Sequence, residues 1–78
     1  MDELIEFIGR HLVVHCERVA VERIDRGQVT VYELSVDSRD MGRVIGRQGR
    51  MATAIRTLMR AAPVGQERRC VLEIVEAD

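Results

Sequence analysis

Three glycines and three arginines fall within the ten residues from Met41 to Arg50, and they hold the most specific chemistry in this 78-residue chain. Gly46-Arg47-Gln48-Gly49 carries Arg47 inside it and is flanked by Arg43 and Arg50, so the guanidinium groups recur at spacings of four and three. Unpaired main-chain N–H groups at a helix start, with the helix dipole behind them, form an anion site. Glycine has no Cβ, so a phosphodiester can approach the backbone closely and unusual φ values are tolerated. Arginine adds planar, bidentate donors matched to phosphate. The chemistry is that of holding a polyanionic strand, through Arg43, Gly46, Arg47, Gln48, Gly49 and Arg50. Two glycines can also do no more than turn the chain between helices, with solvated arginines around them. The preceding Val44-Ile45, the arginine cluster and the order of elements together favour the anion site.

Other phosphate loops do not fit. A Walker A loop ends Gly-Lys-Ser/Thr, and this chain has no lysine. A dinucleotide fingerprint follows a strand, whereas a helical stretch precedes this loop. His11 and His15 lie one helical turn apart beside Cys16, but a structural zinc site needs four ligands, and neither Cys70 nor a carboxylate has supporting spacing. Both histidines are expected toward the apolar side of the first helix, as packed or edge residues, and no metal or other cofactor is expected. No Ser-His-acid spacing or carboxylate pair stands out, and so small a fold has little room for an enclosed pocket or a small-molecule substrate. The chain therefore reads as a binding protein, not an enzyme.

The elements that must position the loop follow from apolar spacing. Leu4, Ile5, Ile8 and Leu12, with Phe7 beside them, predict a first helix that fades near His15, with Asp2 and Glu3 at its positive end. Val19 to Ile24 and Gln28 to Val36 predict two strands, joined by a hairpin turn at Asp25-Arg26-Gly27. In the second strand the apolar parity shifts between Val31 and Tyr32, which signals either a bulge or burial on both faces. Asp37 and Ser38 offer N-caps for a short helix from about Arg39 to Val44. After the loop a longer helix runs to about Ala61, with Pro63 and Gly65 as stop signals. Its apolar side, Met51, Ala54, Ile55, Leu58, Met59 and Ala62, spans nearly half the circumference. Either the sheet buries all of it, or Leu58 and Met59 form part of a contact with another molecule. Arg69 to Val75 predicts a last strand, with Cys70, Leu72 and Ile74 on one face and Val71, Glu73 and Val75 on the other.

The expected fold is α+β, in the order α-β-β-α-α-β, with a three-stranded sheet covered by helices on one face. No linker or repeat divides the chain, so residues 1–78 are expected to form a single domain. No apolar run approaches the roughly 20 residues a membrane-spanning helix requires. The start Met1-Asp2-Glu3 lacks the basic segment and cleavage site of a signal peptide, so a cytoplasmic protein is expected. Cys16 and Cys70 agree with that, and neither secretion nor a disulfide is expected.

A net charge of −1 conceals strong segregation. Met1 to Ser38 holds four arginines against eight acids, Arg39 to Arg69 eight arginines against two acids, and the last nine residues three acids and no base. The middle segment, at +6, is suited to a polyanion although the whole chain is slightly acidic. Screening limits reach to roughly 8 Å at physiological salt, so the local field governs.

The run Val44-Ile45-Gly46-Arg47-Gln48-Gly49-Arg50, followed by Ala54-Ile55-Arg56-Thr57-Leu58, resembles the KH-domain signature and is similar to the small single-KH proteins of the bacterial KhpA family. The resemblance extends over essentially the whole chain and implies the helix-first, type II arrangement. It implies that Gly46 to Gly49 grips the backbone of about four unpaired nucleotides. It implies an adjoining base groove, for which Val44, Ile45 and Met51 are the candidates by position. It further implies an RNA chaperone or post-transcriptional regulator that forms a homodimer or pairs with a second KH protein, KhpB (also called Jag). A link to cell elongation and envelope homeostasis belongs to the same implication. A KH-fold module acting mainly through protein contacts is the alternative. Relatives often carry an Asn-Pro-Asp-like turn where this chain has His15-Cys16-Glu17, which puts that turn in doubt. With aromatic residues only at Phe7 and Tyr32, outside the motif, the aromatic stacking platform of other RNA-binding folds does not fit.

Overall fold

The computed structural model describes residues 1–62 and 69–77. Along the chain lie α1 (Asp2–Leu12), β1 (Ala20–Arg26), β2 (Val29–Val36), α2 (Met41–Ile45), α3 (Arg50–Ala61) and β3 (Arg69–Glu76). Single 3₁₀ turns at Cys16–Arg18, Ser38–Asp40 and Arg47–Gly49 join them. This is the expected α-β-β-α-α-β order. The helix stop expected at Pro63 and Gly65 lies outside the described residues.

The sheet has β2 at its centre, antiparallel to β1 and parallel to β3. Tyr32, Leu34 and Val36 point into the core with at most 1% of their surface exposed. Ile5 of α1, Val44 of α2, Ile55 and Met59 of α3, and Leu72 of β3 close over them in one cluster. Pairing between β1 and β2 is continuous from Ala20↔Ser35 to Arg26↔Val29. The parity shift at Val31 is thus burial on both faces, not a bulge: Val31 is buried on the helix-free side and Tyr32 on the other. The hairpin turn sits one residue later than expected, at Gly27-Gln28, where Gly27 takes φ +65°. Positive φ at the first residue of a two-residue loop matches the twist of the flanking strands.

Helix faces divide more sharply than their apolar spacing implied. In α1, Ile5 is fully buried while Leu4 and Phe7 stay exposed. In α3, Ala52, Ile55 and Met59 are buried, and Met51 and Leu58 remain at the surface.

The loop-bearing region is tied to the N-terminal half through Asp40, a buried carboxylate 1% exposed. It accepts hydrogen bonds from the Val14 amide (3.1 Å), the His15 amide (3.0 Å) and the His15 ring Nδ1 (2.8 Å). Arg43 approaches its other side at 3.5 Å. Asp37 caps the preceding turn by accepting from the Arg39 amide at 2.9 Å, and the Arg39 guanidinium grips the same carboxylate with two bonds. Those Arg39 side-chain and backbone bonds hold Asp37 well below the usual carboxylate range. For Asp40, burial works against ionisation, but the hydrogen bonds from His15 and Val14 prevail and its pKa is lowered.

Both groups bind protons more weakly folded than unfolded. Their stabilisation is complete above the ordinary aspartate pKa near 3.9 and fades as pH falls toward the lowered values. Thermal midpoints followed by circular dichroism are expected to fall steeply below about pH 4.5. Asp40→Asn should lower the midpoint at pH 7 by several degrees and make that acid dependence shallower, because the variant no longer has the charge that titrates.

Candidate nucleic-acid interface

At the end of α2 the chain reverses at Gly46, whose N–H donates to the Gly42 carbonyl at 2.9 Å. One 3₁₀ turn, closed by Gly49 N–H to Gly46 carbonyl at 3.2 Å, then leads into α3. Three of these four residues have positive φ: Gly46 at 78°, Gln48 at 57° and Gly49 at 73°. The two glycines are required for different reasons. A Cβ at Gly46 would lie 2.6 Å from Met51 Cβ and 2.8 Å from Met51 N, so the first turn of α3 occupies that space. A Cβ at Gly49 would meet nothing within 4 Å, so there the constraint is the left-handed backbone alone. Gln48 takes the same conformation with a side chain, a rare state for such a residue.

No side chain caps the start of α3; the Gly49 and Arg50 amides there donate to the Gly46 and Arg47 carbonyls of the preceding turn. Arg43, Arg47, Gln48 and Arg50 are all exposed around the loop. Arg50 donates to the Gln48 side-chain Oε1 at a long 3.5 Å, and Arg43 is steadied by Asp40. The six residues expected to hold a phosphate strand are thus brought together on one surface.

The expected groove walls separate. Val44 is fully buried in the core, because the single inward position of a five-residue helix must face the sheet, and it is not a surface wall. Ile45 and Met51, 37% and 36% exposed, flank the loop. Of the two readings left open for Met59, burial by the sheet holds, at 2% exposure. Leu58, one residue away on the helix, is 52% exposed.

A further feature escaped the sequence reading. Arg56, Arg60, Arg69, Cys70, Val71 and Leu72 line an open cleft of about 230 Å³ between α3 and β3. Arg56 spans it by donating to the Leu72 carbonyl at 3.3 Å. Arg50, Thr53, Thr57 and Arg60 recur at three and four residues, so they share one exposed stripe of α3 that runs from the loop toward this cleft. The excess of arginine after Arg39 was a signal for it, but pairing a helix flank with one edge strand is a tertiary fact.

The histidines do not converge. His11 is exposed, with its Nδ1 on the Phe7 carbonyl at 2.8 Å and its ring 4.2 Å from that of Phe7. His15 lies beyond the helix and docks on Asp40. Neither packs toward the apolar side of α1 as expected. Among the described residues, no three His, Cys, Asp or Glu side chains are grouped to hold a metal ion. No described helix is long and apolar enough to cross a membrane.

Residues 2–74 match the family model described as "KhpA/KhpB, KH domain". The chain belongs to this family. Its helix-first order and Gly46–Gly49 loop are those of a KH domain, and membership places it among binding modules and not among enzymes. Over 75 residues it is 44% identical to a protein of Caldanaerobacter subterraneus named RNA-binding protein KhpA, covering 96% of this chain and all of the relative. The protein of the same name from Listeria monocytogenes is 46% identical over 76 residues, covering 97% of this chain and all of the relative. That of Borreliella burgdorferi is 45% identical over 74 residues, with 95% and 90% covered. No solved structure matches the chain.

The unequal demands on the two glycines give a measurable difference. Gly49→Ala should cost about 1–2 kcal/mol, the penalty of a Cβ in left-handed backbone. Gly46→Ala should cost more, because φ 78° with ψ 171° is open essentially only to glycine and a Cβ would also clash with the Met51 backbone. Urea denaturation of both variants tests this, and equal losses would contradict it.

Proposed function

We propose that this chain is a single KH domain, residues 1–78, that binds single-stranded RNA in the cytoplasm. The observation that carries the reading is the two-glycine loop ahead of α3, with Arg43, Arg47 and Arg50 exposed around it. The side chains of Arg47, Gln48 and Arg50 take the phosphates, where Gly46 and Gly49 let a strand approach. From there the RNA follows the Arg50–Arg60 stripe, about 15 Å long at 1.5 Å per residue, into the cleft between α3 and β3. Arg56, Arg60 and Arg69 border that end, so the strand meets three further guanidinium groups there. Ile45 and Met51 offer apolar contacts beside the loop itself. The relatives named as RNA-binding proteins support this ligand.

One domain makes few contacts, so binding is weak and has little sequence preference, as suits an RNA chaperone or post-transcriptional regulator. Association with a second KH protein such as KhpB, or with another copy, would raise avidity by presenting two grooves. The exposed flank of α3, with Leu58 at its centre, supports a heterologous partner there. A role in cell elongation and envelope homeostasis belongs to the same proposal.

Fluorescence anisotropy with a labelled single-stranded RNA tests the reading. Arg47→Asp/Gln48→Asp should weaken binding at least tenfold with its circular dichroism spectrum unchanged. For wild type, log affinity against log salt should fall with a slope of about −0.7 per phosphate contacted. If the folded variant binds like wild type while Leu58→Asp abolishes complex formation with a protein partner, the chain acts mainly as a protein-interaction module.

A further inference from the structure

Asp40 divides its two oxygens between a histidine and an arginine. Its Oδ2 accepts from the His15 amide at 3.0 Å and from the imidazole Nδ1 at 2.8 Å. Its Oδ1 accepts from the Val14 amide at 3.1 Å and stands 3.5 Å from Nε of Arg43. The carboxylate is 1% exposed, whereas the Arg43 side chain is 59% exposed and the His15 side chain 25%. One buried charge is thus shared between a ring that can gain a proton and a guanidinium that belongs to the loop surface. An ionised carboxylate only accepts hydrogen bonds, so Nδ1 carries a proton whether the ring is neutral or charged. The second proton enters at Nε2, and no bond to Asp40 breaks when it does. Titration of the ring therefore changes charge and leaves the anchor of α2 in place.

We propose that His15 is a positioning residue for the phosphate grip, acting through Asp40 on Arg43, so that its protonation tightens RNA binding at mildly acidic pH. With a neutral ring, Asp40 and Arg43 form a pair without net charge, and a phosphate must compete with the carboxylate for the guanidinium. With an imidazolium, the carboxylate is matched from its other side. The trio then carries one positive charge, and its most exposed member is Arg43. The proposal rests on the RNA reading of the Gly46–Gly49 loop and adds a device that regulates it.

The neighbouring charges do not blur this effect. Cys16, Glu17 and Arg18 come from the turn that follows His15, and Asp37 and Arg39 from the turn that leads into α2. Arg39 grips Asp37 with two side-chain bonds, and Arg18 approaches the same carboxylate at 3.7 Å. In the last turn of α1, Arg10 pairs with Glu6 at 3.0 Å and His11 sits on the Phe7 carbonyl. Met1, with the amino group, lies at the opposite end of that helix. Carboxylates ordinarily titrate near pH 4, thiols near pH 8.5 and guanidinium groups above pH 12, so between pH 5.5 and 7.5 the imidazole is the side chain that changes charge. Hydrogen bonds hold Asp37 and Asp40 lower still. His11 is the one other imidazole in the chain, and it serves as the control.

Fluorescence anisotropy with labelled oligouridine, whose bases do not titrate in this range, is the test, run at constant ionic strength from about pH 7.5 to about pH 5.5. Wild type should bind roughly two- to sixfold more tightly at the lower pH, the effect of one unit charge about 8 Å away at an effective dielectric constant between about 40 and 80. His15→Asn keeps a side-chain N–H for Asp40 but cannot take the charge, so its profile should be flat. Arg43→Gln should lose most of the pH dependence along with affinity, because the charge acts through that guanidinium. His11→Gln should keep the dependence. A readout on the unaltered chain follows from reciprocity between proton and RNA: bound oligouridine should move the titration of the His15 ring, followed by NMR, to higher pH. Wild type that binds RNA equally at both pH values, or a His15 ring that RNA leaves unmoved, would overturn the proposal while the RNA reading stands. So would a dependence that survives in His15→Asn or in Arg43→Gln. A wild type that binds no RNA at either pH would overturn the RNA reading and this proposal together.

Discussion

Five residues are too few for a helix to persist in water, because nucleation costs more than one turn of hydrogen bonds returns. α2 has only five, and the loop it delivers would have no defined position if α2 were held by its own bonds. Its place is set from outside. Val44 anchors it in the core, and the buried Asp40 carboxylate at its start binds two amides and the ring of His15 from the segment after α1. The same carboxylate steadies Arg43. A removal of these partners would leave a charged group buried without compensation, which is why the contact is all-or-none. The geometry of the glycine loop thus depends on residues 25 and 26 positions earlier in the chain.

From that anchor the site follows as a chain of exclusions. The first turn of α3 packs so close beneath Gly46 that no side chain fits there, and the glycine backbone stays half-exposed. The start of α3 carries no acidic side chain, and exposed arginines surround it. The core takes Ala52, Ile55 and Met59 from α3, so its other flank is free to carry Arg50, Arg56 and Arg60. Positioning, cation supply and access are separate consequences of how one helix is shared between core and solvent.

Charge is sorted by layer as well as by segment. The helix side and the loop carry the arginine excess, while the open sheet face sets three glutamates side by side. A nucleic acid is drawn to the first surface and repelled by the glutamate row of the second. This explains how a chain with net charge −1 can present a polyanion site. The sum says little, since fields at the contact decay within a Debye length.

Much of this was legible in the residues. Element order, the two-glycine loop and its arginines follow from apolar period, glycine spacing and local charge, which are properties of neighbours in sequence. The right face of β3 was also readable, because alternation has a period of two. Whether Val44 and Met59 belong to the core or to a surface contact stayed open in the sequence for a shared reason. Apolar spacing identifies a stripe but not how much of it a small core can cover, and here the core takes Met59 and leaves Leu58 out. His15 was misplaced because its partner, Asp40, is distant in sequence. By itself, then, the amino-acid sequence determined the elements and the chemistry of the loop, because local sterics and hydrogen bonding suffice for both. Only the tertiary structure decided which arginines border the cleft, which carboxylate anchors α2, and which charges align in rows. Those depend on strand register and helix packing between residues far apart in the chain.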